Sequence, residues 1–245
     1  MNILKIRKFL FFYLLTFFIP TNVLAENLII RSFGHSSFLI KGGGQKVLLN
    51  PFKSIGCAEG LEEIKNVEYD FILASSRLAD EGYNPNNQLM FVDSGTYKVK
   101  NTILSGIKVS HDRFDGRRFG MATVWIWDQN NFKIVHMGGA AGSIDITDQI
   151  ILSRPDLLFI SIGGGPKSYD GREASEIVKK LKPKIIVPVH FLKDKDKDKD
   201  KNKNCNFSDK RLFLKNIKGY ELNYVNKKLE LNPKKIQKNS IYIFN

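Results

Sequence analysis

Apolar and polar positions alternate through residues 28–33 and 36–41, with Gly34 between them. A third strand at 45–50 follows Gly42-Gly43-Gly44. A period of two with glycine punctuation predicts consecutive antiparallel hairpins. Residues 69–74 read as a buried strand, and 88–93, 97–99 and 102–109 as further strands, with turns at Gly95 and Asn101. Residues 121–128 and 132–137 predict a hairpin around Gln129-Asn130-Asn131. Helical signals come later. Asp145 can cap a helix to about residue 153, and Asp170 one to Leu181, with Ala174, Ile177, Val178 and Leu181 on one face. Strands at 156–162 and 184–189 frame the second helix, and a short helix at 208–216 precedes strands at 220–225, 227–231 and 240–244. Strands first and strand–helix–strand units after predict two layered sheets with outer helices.

Two segments stand outside this pattern. Residues 1–25 run from basic (Lys5, Arg7, Lys8) through apolar (Phe9 to Ile19) to Val23-Leu24-Ala25, the order of a secretory signal cleaved before Glu26. The apolar run is shorter than the ~20 residues a bilayer span needs. No membrane span is therefore expected after cleavage, and residues 26–245 form one domain. Residues 193–204 alternate Lys and Asp, then Lys and Asn, with no apolar position, so this insertion is expected to be disordered.

The formal charge is +13. Signal removal takes three basic residues and no acids, lowering it to +10. The lysines are dispersed, with no reader motif for nucleic acid, so a nucleic-acid partner is not expected. Weak attraction to anionic surfaces or substrates is. Cys57 and Cys205 are the two cysteines. An exported chain permits their pairing, and two unrelated thiols are the alternative.

The candidate chemistry lies at strand ends. Gly34-His35-Ser36-Ser37-Phe38, Asn50-Pro51, Ala74-Ser75-Ser76-Arg77-Leu78-Ala79-Asp80-Glu81, Ser110-His111-Asp112, His136-Met137-Gly138-Gly139, Gly163-Gly164-Gly165-Pro166 and Val189-His190 occur in this order. Together they resemble the metallo-β-lactamase superfamily, in the branch of zinc-dependent hydrolases similar to ascorbate-6-phosphate lactonase. The resemblance covers about residues 28–245 and implies a four-layer αββα sandwich with its site on one edge between the sheets.

It also implies where ligands should stand. The family's His-x-His-x-Asp-His falls on Ser76, Leu78, Asp80 and Glu81, so only the aspartate remains. The next two histidine positions are His111 and His190. Between them, the metal-bridging aspartate is replaced by Gly139. Asn50 stands where the family has aspartate. Two metals need about three or four ligands each plus a bridging hydroxide, so a dinuclear centre is not expected here. Asp80, Glu81, His111 and His190 could still form a mononuclear site for zinc, iron or manganese. The alternative is solvated loop acids and histidines held by hydrogen bonds.

Other residues are expected to line the site. In the branch resembled, the His35 position touches substrate or a metal-bound group; the alternative is a turn histidine. His136 is expected to be structural, hydrogen-bonded between the sheets. In the branch resembled, the Gly163-Gly164-Gly165-Pro166 loop lies beside the site, which implies that Gly164 shapes it; the missing Gly-Lys-Ser/Thr ending argues against a phosphate loop. Asp112, Arg117 and Arg118 read as a solvated loop or a basic rim for an anionic substrate. Ser75 and Ser76 lack the strand–turn–helix elbow of a serine nucleophile.

Two functions follow from this reading. One is an exported, hydrolase-derived protein that has largely lost its metal site and serves a binding or scaffold role toward a small molecule or protein. The other is a hydrolase of an ester, lactone or phosphoester with a mononuclear metal. Mass spectrometry of the exported protein should find Glu26 at its N-terminus; an intact Met1 in that fraction would refute the signal reading.

Overall fold

The computed structural model describes residues 26–192, 205–235 and 239–245. The signal-like segment 1–25 and the Lys/Asp stretch 193–204 lie outside the described residues. Strands run β1 (Leu28–Gly34), β2 (Ser37–Gly42), β3 (Gln45–Leu49), β4 (Phe71–Leu73), β5 (Met90–Phe91), β6 (Gly95–Val99), β7 (Thr102–Ser110), β8 (Met121–Gln129) and β9 (Phe132–His136). Helix α1 (Ile146–Leu152), β10 (Leu157–Ser161), α2 (Gly171–Leu181), β11 (Ile185–Val189), α3 (Arg211–Asn216), β12 (Glu221–Val225), β13 (Lys228–Leu231) and β14 (Ser240–Phe244) complete the order.

Two sheets form a sandwich. One has the order β13-β1-β2-β3-β4-β5, the other β12-β14-β11-β10-β9-β8-β7-β6. Between them lies an apolar core that includes Phe38, Phe71, Trp125, Trp127 and Phe159. Polar groups also join the sheets. The Trp125 indole donates to the Ala74 carbonyl at 2.8 Å, and the Gln129 amide donates to Gly42 and Gln45 carbonyls at 3.0 and 3.1 Å. All these partners are buried, so losing one would leave an unpaired polar group out of water.

Helices α1, α2 and α3 cover the outer face of the eight-stranded sheet, burying Leu152, Ala174, Val178, Leu181 and Phe213. Helix α2 is held at its start by a capping box, in which Asp170 accepts from the Glu173 amide and Glu173 accepts from the Asp170 amide, each at 2.8 Å. Lys182 closes it in the left-handed conformation. On the outer face of the six-stranded sheet, Leu48, Ile72, Ala74 and Val92 are covered by Phe33, Ile64, Tyr69 and Met90. This layer is mostly irregular chain, with a 3-10 turn at Gly56–Ala58.

The hydrophobic pattern locates nearly every element, and the differences are local. Gly95 begins β6 opposite Gly106 instead of making a turn, because a pair of glycines lets the strands approach where Ser94 and Trp125 crowd the space. His35 sits in the β1–β2 turn at φ 53°, and the second strand starts only at Ser37.

Strands β3, β4, β9, β10 and β11 run in parallel within their sheets. Their carboxyl ends release Asn50, Ser75, Gly138-Gly139, Gly163 and His190 toward one edge, the place where α/β sheets gather chemistry. A Cys57–Cys205 disulfide spans this edge, across 148 residues of sequence. Closing so long a loop should contribute about 2–5 kcal/mol. Replacing both cysteines with serine should lower stability in urea by that amount; unchanged stability would show that the surrounding packing suffices.

Candidate functional site: a buried cluster of compensated charges

Asp80, His111 and His190 lie near one another at this edge. Lys167 joins two of them directly: its backbone oxygen faces His111 Nδ1 at 3.2 Å, and its ammonium donates to Asp80 Oδ2 at 2.7 Å. His190 lies close enough for Glu81, Lys167 and Asp80 to act on its ring electrostatically.

His111 and Glu81 form the centre. Both are fully buried, with Nε2 2.5 Å from Glu81 Oε1. His111 Nδ1 faces a carbonyl, which only accepts, and with Glu81 held ionised Nε2 also donates, so the ring is an imidazolium. Burial alone would lower the His111 pKa, but the Glu81 charge and hydrogen bond raise it. Burial would likewise raise Glu81; the charge and bond of His111, with help from Lys167, hold it well below the usual carboxylate range.

The second carboxylate oxygen of Glu81 accepts from Ser75 Oγ at 3.1 Å. That hydroxyl accepts in turn from Asn50 Nδ2 at 2.9 Å and the Gly139 amide at 3.3 Å. Asn50 also donates to Ser36 Oγ and accepts from the Ser75 amide. Every proton of the Asn50–Ser75–Glu81–His111 chain is thus placed, and Ser75 is a junction rather than a nucleophile. Ser76 accepts from the Leu78 amide and stabilises the local turn.

Gly139 explains how this pair fits. A Cβ there would collide with the His111 ring and stand 3.0 Å from Glu81 Oε1. The space a bridging aspartate would need is filled by the ion pair. Restoring that aspartate therefore requires His111 to move.

His190 and His35 form a second pair, Nε2 to Nε2 at 2.8 Å. Ser161 Oγ donates to the Gly138 carbonyl at 2.8 Å, so it accepts from His190 Nδ1 at 3.2 Å. The proton of neutral His190 then lies on Nδ1, and His35 Nε2–H donates to its Nε2. Phe207 stacks on His190 at 5.6 Å between ring centres and tilts against His35 at 6.3 Å. Burial pushes His35 down to about 4 and His190 well below its ordinary range, His35's proximity adding to the latter.

Two of the four expected metal ligands, Glu81 and His111, face each other, and the other two face different partners. Asp80 Oδ2 accepts from Lys167 and from the Cys57 amide at 3.1 Å. Glu81 is bound to His111 and Ser75, and His190 to His35 and Ser161. Among the described residues no group of three or more His, Cys, Asp or Glu is arranged to hold a metal ion. A metal binding through Asp80 Oδ2, Glu81, His111 or His190 would have to displace the protons that these atoms now share with protein partners.

His136 is not hydrogen-bonded between the sheets as expected. It is fully buried beside Phe159, and neither ring nitrogen has a hydrogen-bond partner among the described residues. The Ser36 backbone approaches it without reaching hydrogen-bond geometry. Burial holds His136 down to about 4.

The surrounding loops are stiffly tied. Asp112 is buried rather than solvated, accepting from the amides of Phe114, Gly116, Arg118 and Phe119 at 2.7–3.0 Å. Burial would raise its pKa, and those four donors lower it. Arg117 and Arg118 stay exposed on the loop it shapes. Gly164, at φ 71°, donates to the Tyr169 carbonyl and accepts from Ser168 Oγ. Arg113 clamps the same loop through the Gly165 and Ser168 carbonyls and Glu173. Sequence reasoning missed Lys167, Arg113, Ser161 and Phe207. Only Lys167 carried a signal, as a cation directly following Gly163-Gly164-Gly165-Pro166.

Acid should unfold this protein early. His35 and His136 bind no proton when folded until about pH 4, yet bind one when unfolded below about 6.5. Each therefore costs stability as pH falls through that window, about 3 kcal/mol by pH 4. Glu81's contribution is full above about 4.5 and is also lost in acid, whereas His111's is full below about 6.5 and is lost as pH rises through its raised folded value. Urea unfolding should show stability falling steeply from pH 6.5 to 4, and His136→Gln should flatten the slope. An unchanged slope in that variant would contradict a buried neutral His136.

Comparison with known proteins agrees with this architecture. Residues 29–190 match the family described as the Beta-lactamase superfamily domain. A UPF0173 protein of Pyrococcus furiosus is 25% identical over 179 residues, covering 64% of this chain and 80% of that protein. A UPF0173 protein of Pyrococcus abyssi is 24% identical over 183 residues, covering 65% and 81%. A Thermotoga maritima structure assigned to the Zn-dependent hydrolases of the metallo-beta-lactamase superfamily superposes with a TM-score of 0.68 at 21% identity, covering 89% of this chain and 98% of that one. Igni18, a metallo hydrolase of Ignicoccus hospitalis, superposes at 0.51 with 18% identity, covering 68% and 83%. With the family's sandwich and the site edge both in place, the chain belongs to the beta-lactamase superfamily.

Proposed function

We propose that this protein is an exported member of the hydrolase family that binds a ligand or partner at the family's site edge without a dinuclear metal centre. The observation that carries this reading is the His111 ring lying where a residue-139 side chain would project, bonded to Glu81. A bridging carboxylate and this ion pair exclude each other. Export is supported by the order of residues 1–25 and by the Cys57–Cys205 disulfide, a bond that persists in oxidising compartments.

The surface that remains available is an open cleft of about 560 Å³ beside the buried cluster. Arg113, Arg118, Gly164, Asp170, Asn206 and Ser208 contribute to its wall. Arg113 is engaged with Glu173, so Arg118 is the exposed cation at the mouth. Small anionic molecules fit this polar, cationic rim better than apolar ones.

The relatives' metal chemistry supports a mononuclear hydrolase as the rival reading, and the engaged donors of Asp80, Glu81, His111 and His190 weigh against it. The purified mature protein should contain no stoichiometric zinc, iron or manganese by elemental analysis, and should hydrolyse model phosphodiesters and lactones at the background rate. Two tightly bound zinc ions per chain would overturn the proposal.

A further inference from the structure

We propose that the Lys167 ammonium is a built-in counter-cation that takes the place of a metal ion at Asp80. This rests on the reading that the site holds no dinuclear centre, and it names what neutralises the site instead.

Lys167 is not a swinging surface lysine. Its ammonium is 2.7 Å from Asp80 Oδ2, and the two side chains are only 14% and 6% exposed. Its backbone is fixed from several sides. The Lys167 carbonyl accepts from His111 Nδ1. The neighbouring Ser168 donates through Oγ to Gly164, and the Ser168 carbonyl is gripped by Arg113. The Phe119 ring lies beneath the ammonium, 5.8 Å from nitrogen to ring centre.

Asp80 is equally constrained. Its Oδ2 also accepts from the Cys57 amide, which the disulfide ties to Cys205. At Gly56 an added Cβ would stand 2.8 Å from the same oxygen. The aspartate therefore cannot turn away to find water, and its charge must be met where it stands.

The charges balance by count. Asp80 and Glu81 supply two negative charges, and Lys167 and the doubly hydrogen-bonded His111 supply two positive ones. A divalent ion binding at Asp80 Oδ2 would have to expel a cation already bonded there. Lys167 thus keeps metal out, as well as holding the Gly163-to-Asp170 loop over the site.

The test uses the full mature chain, with Mn²⁺ as probe because a hard cation suits a carboxylate. Wild type should show no change in melting temperature with Mn²⁺. Lys167→Met keeps an apolar stem and removes the charge. It should melt several degrees lower, and Mn²⁺ should restore part of the loss. Adding Asp80→Asn to Lys167→Met should abolish that response and bring the melting temperature back toward wild type. Lys167→Arg keeps the charge and should ignore Mn²⁺.

Lys167→Met melting like wild type would overturn the proposal, as would Mn²⁺ raising wild type and variant equally. If Lys167→Met does not fold, the double variant decides. A folded double variant supports charge compensation, and a double variant that also fails to fold overturns it. Failure of the metal-free reading itself would appear separately, as metal in purified wild type.

Discussion

Two adjacent carboxylates, Asp80 and Glu81, leave the end of β4 and enter an interior with almost no access to water. Taking such charges out of water costs several kcal/mol each unless a partner of opposite sign is held close. The rest of the site answers that constraint. Glu81 is met by the imidazolium of His111 and the hydroxyl of Ser75. Asp80 is met by the ammonium of Lys167 and the amide of Cys57. Asn50 orients Ser75, Gly139 makes room for His111, and Arg113 fixes the loop that brings Lys167 in. Removing one member of such a set leaves a buried charge alone, so these residues depend on one another more than on the surrounding apolar core.

The same geometry separates inheritance from alteration. The sandwich belongs to the family scaffold, and its parallel strand ends carry the edge where Asp80, His111 and His190 lie. The space beside Gly139 is filled by the His111 ring, and Glu81 supplies a carboxylate to that ring. His190 Nε2 faces His35, and Phe207 lies against both rings.

Much of the fold was legible because strand alternation and capping residues are local. The Asp170–Glu173 capping box and the Gln129–Asn131 turn are written within a few residues. The expectation that Gly139 stands in place of a ligand came from the family resemblance rather than from any local pattern. What filled its place was not legible, because Glu81 and His111 are 30 residues apart and Asp80 and Lys167 are 87 apart. No periodicity relates them, and only the folded sheets bring them together. The role of His136 was misread because a buried histidine between sheets ordinarily finds a partner, and this one meets the Phe159 ring instead. Pairing of Cys57 with Cys205 was open for a related reason, since two cysteines 148 residues apart carry no spacing signal.

The central claim is that His111 is a buried cation paired with Glu81 and not a neutral ligand waiting for a metal. Nitrogen-15 NMR of the imidazole side chains reads this directly, because a protonated ring nitrogen and one with a free or metal-bound lone pair resonate far apart. At neutral pH both nitrogens of His111 should show the protonated shift, unchanged by a strong chelator. An unprotonated nitrogen on His111, or a shift that moves when the chelator is added, would contradict the account.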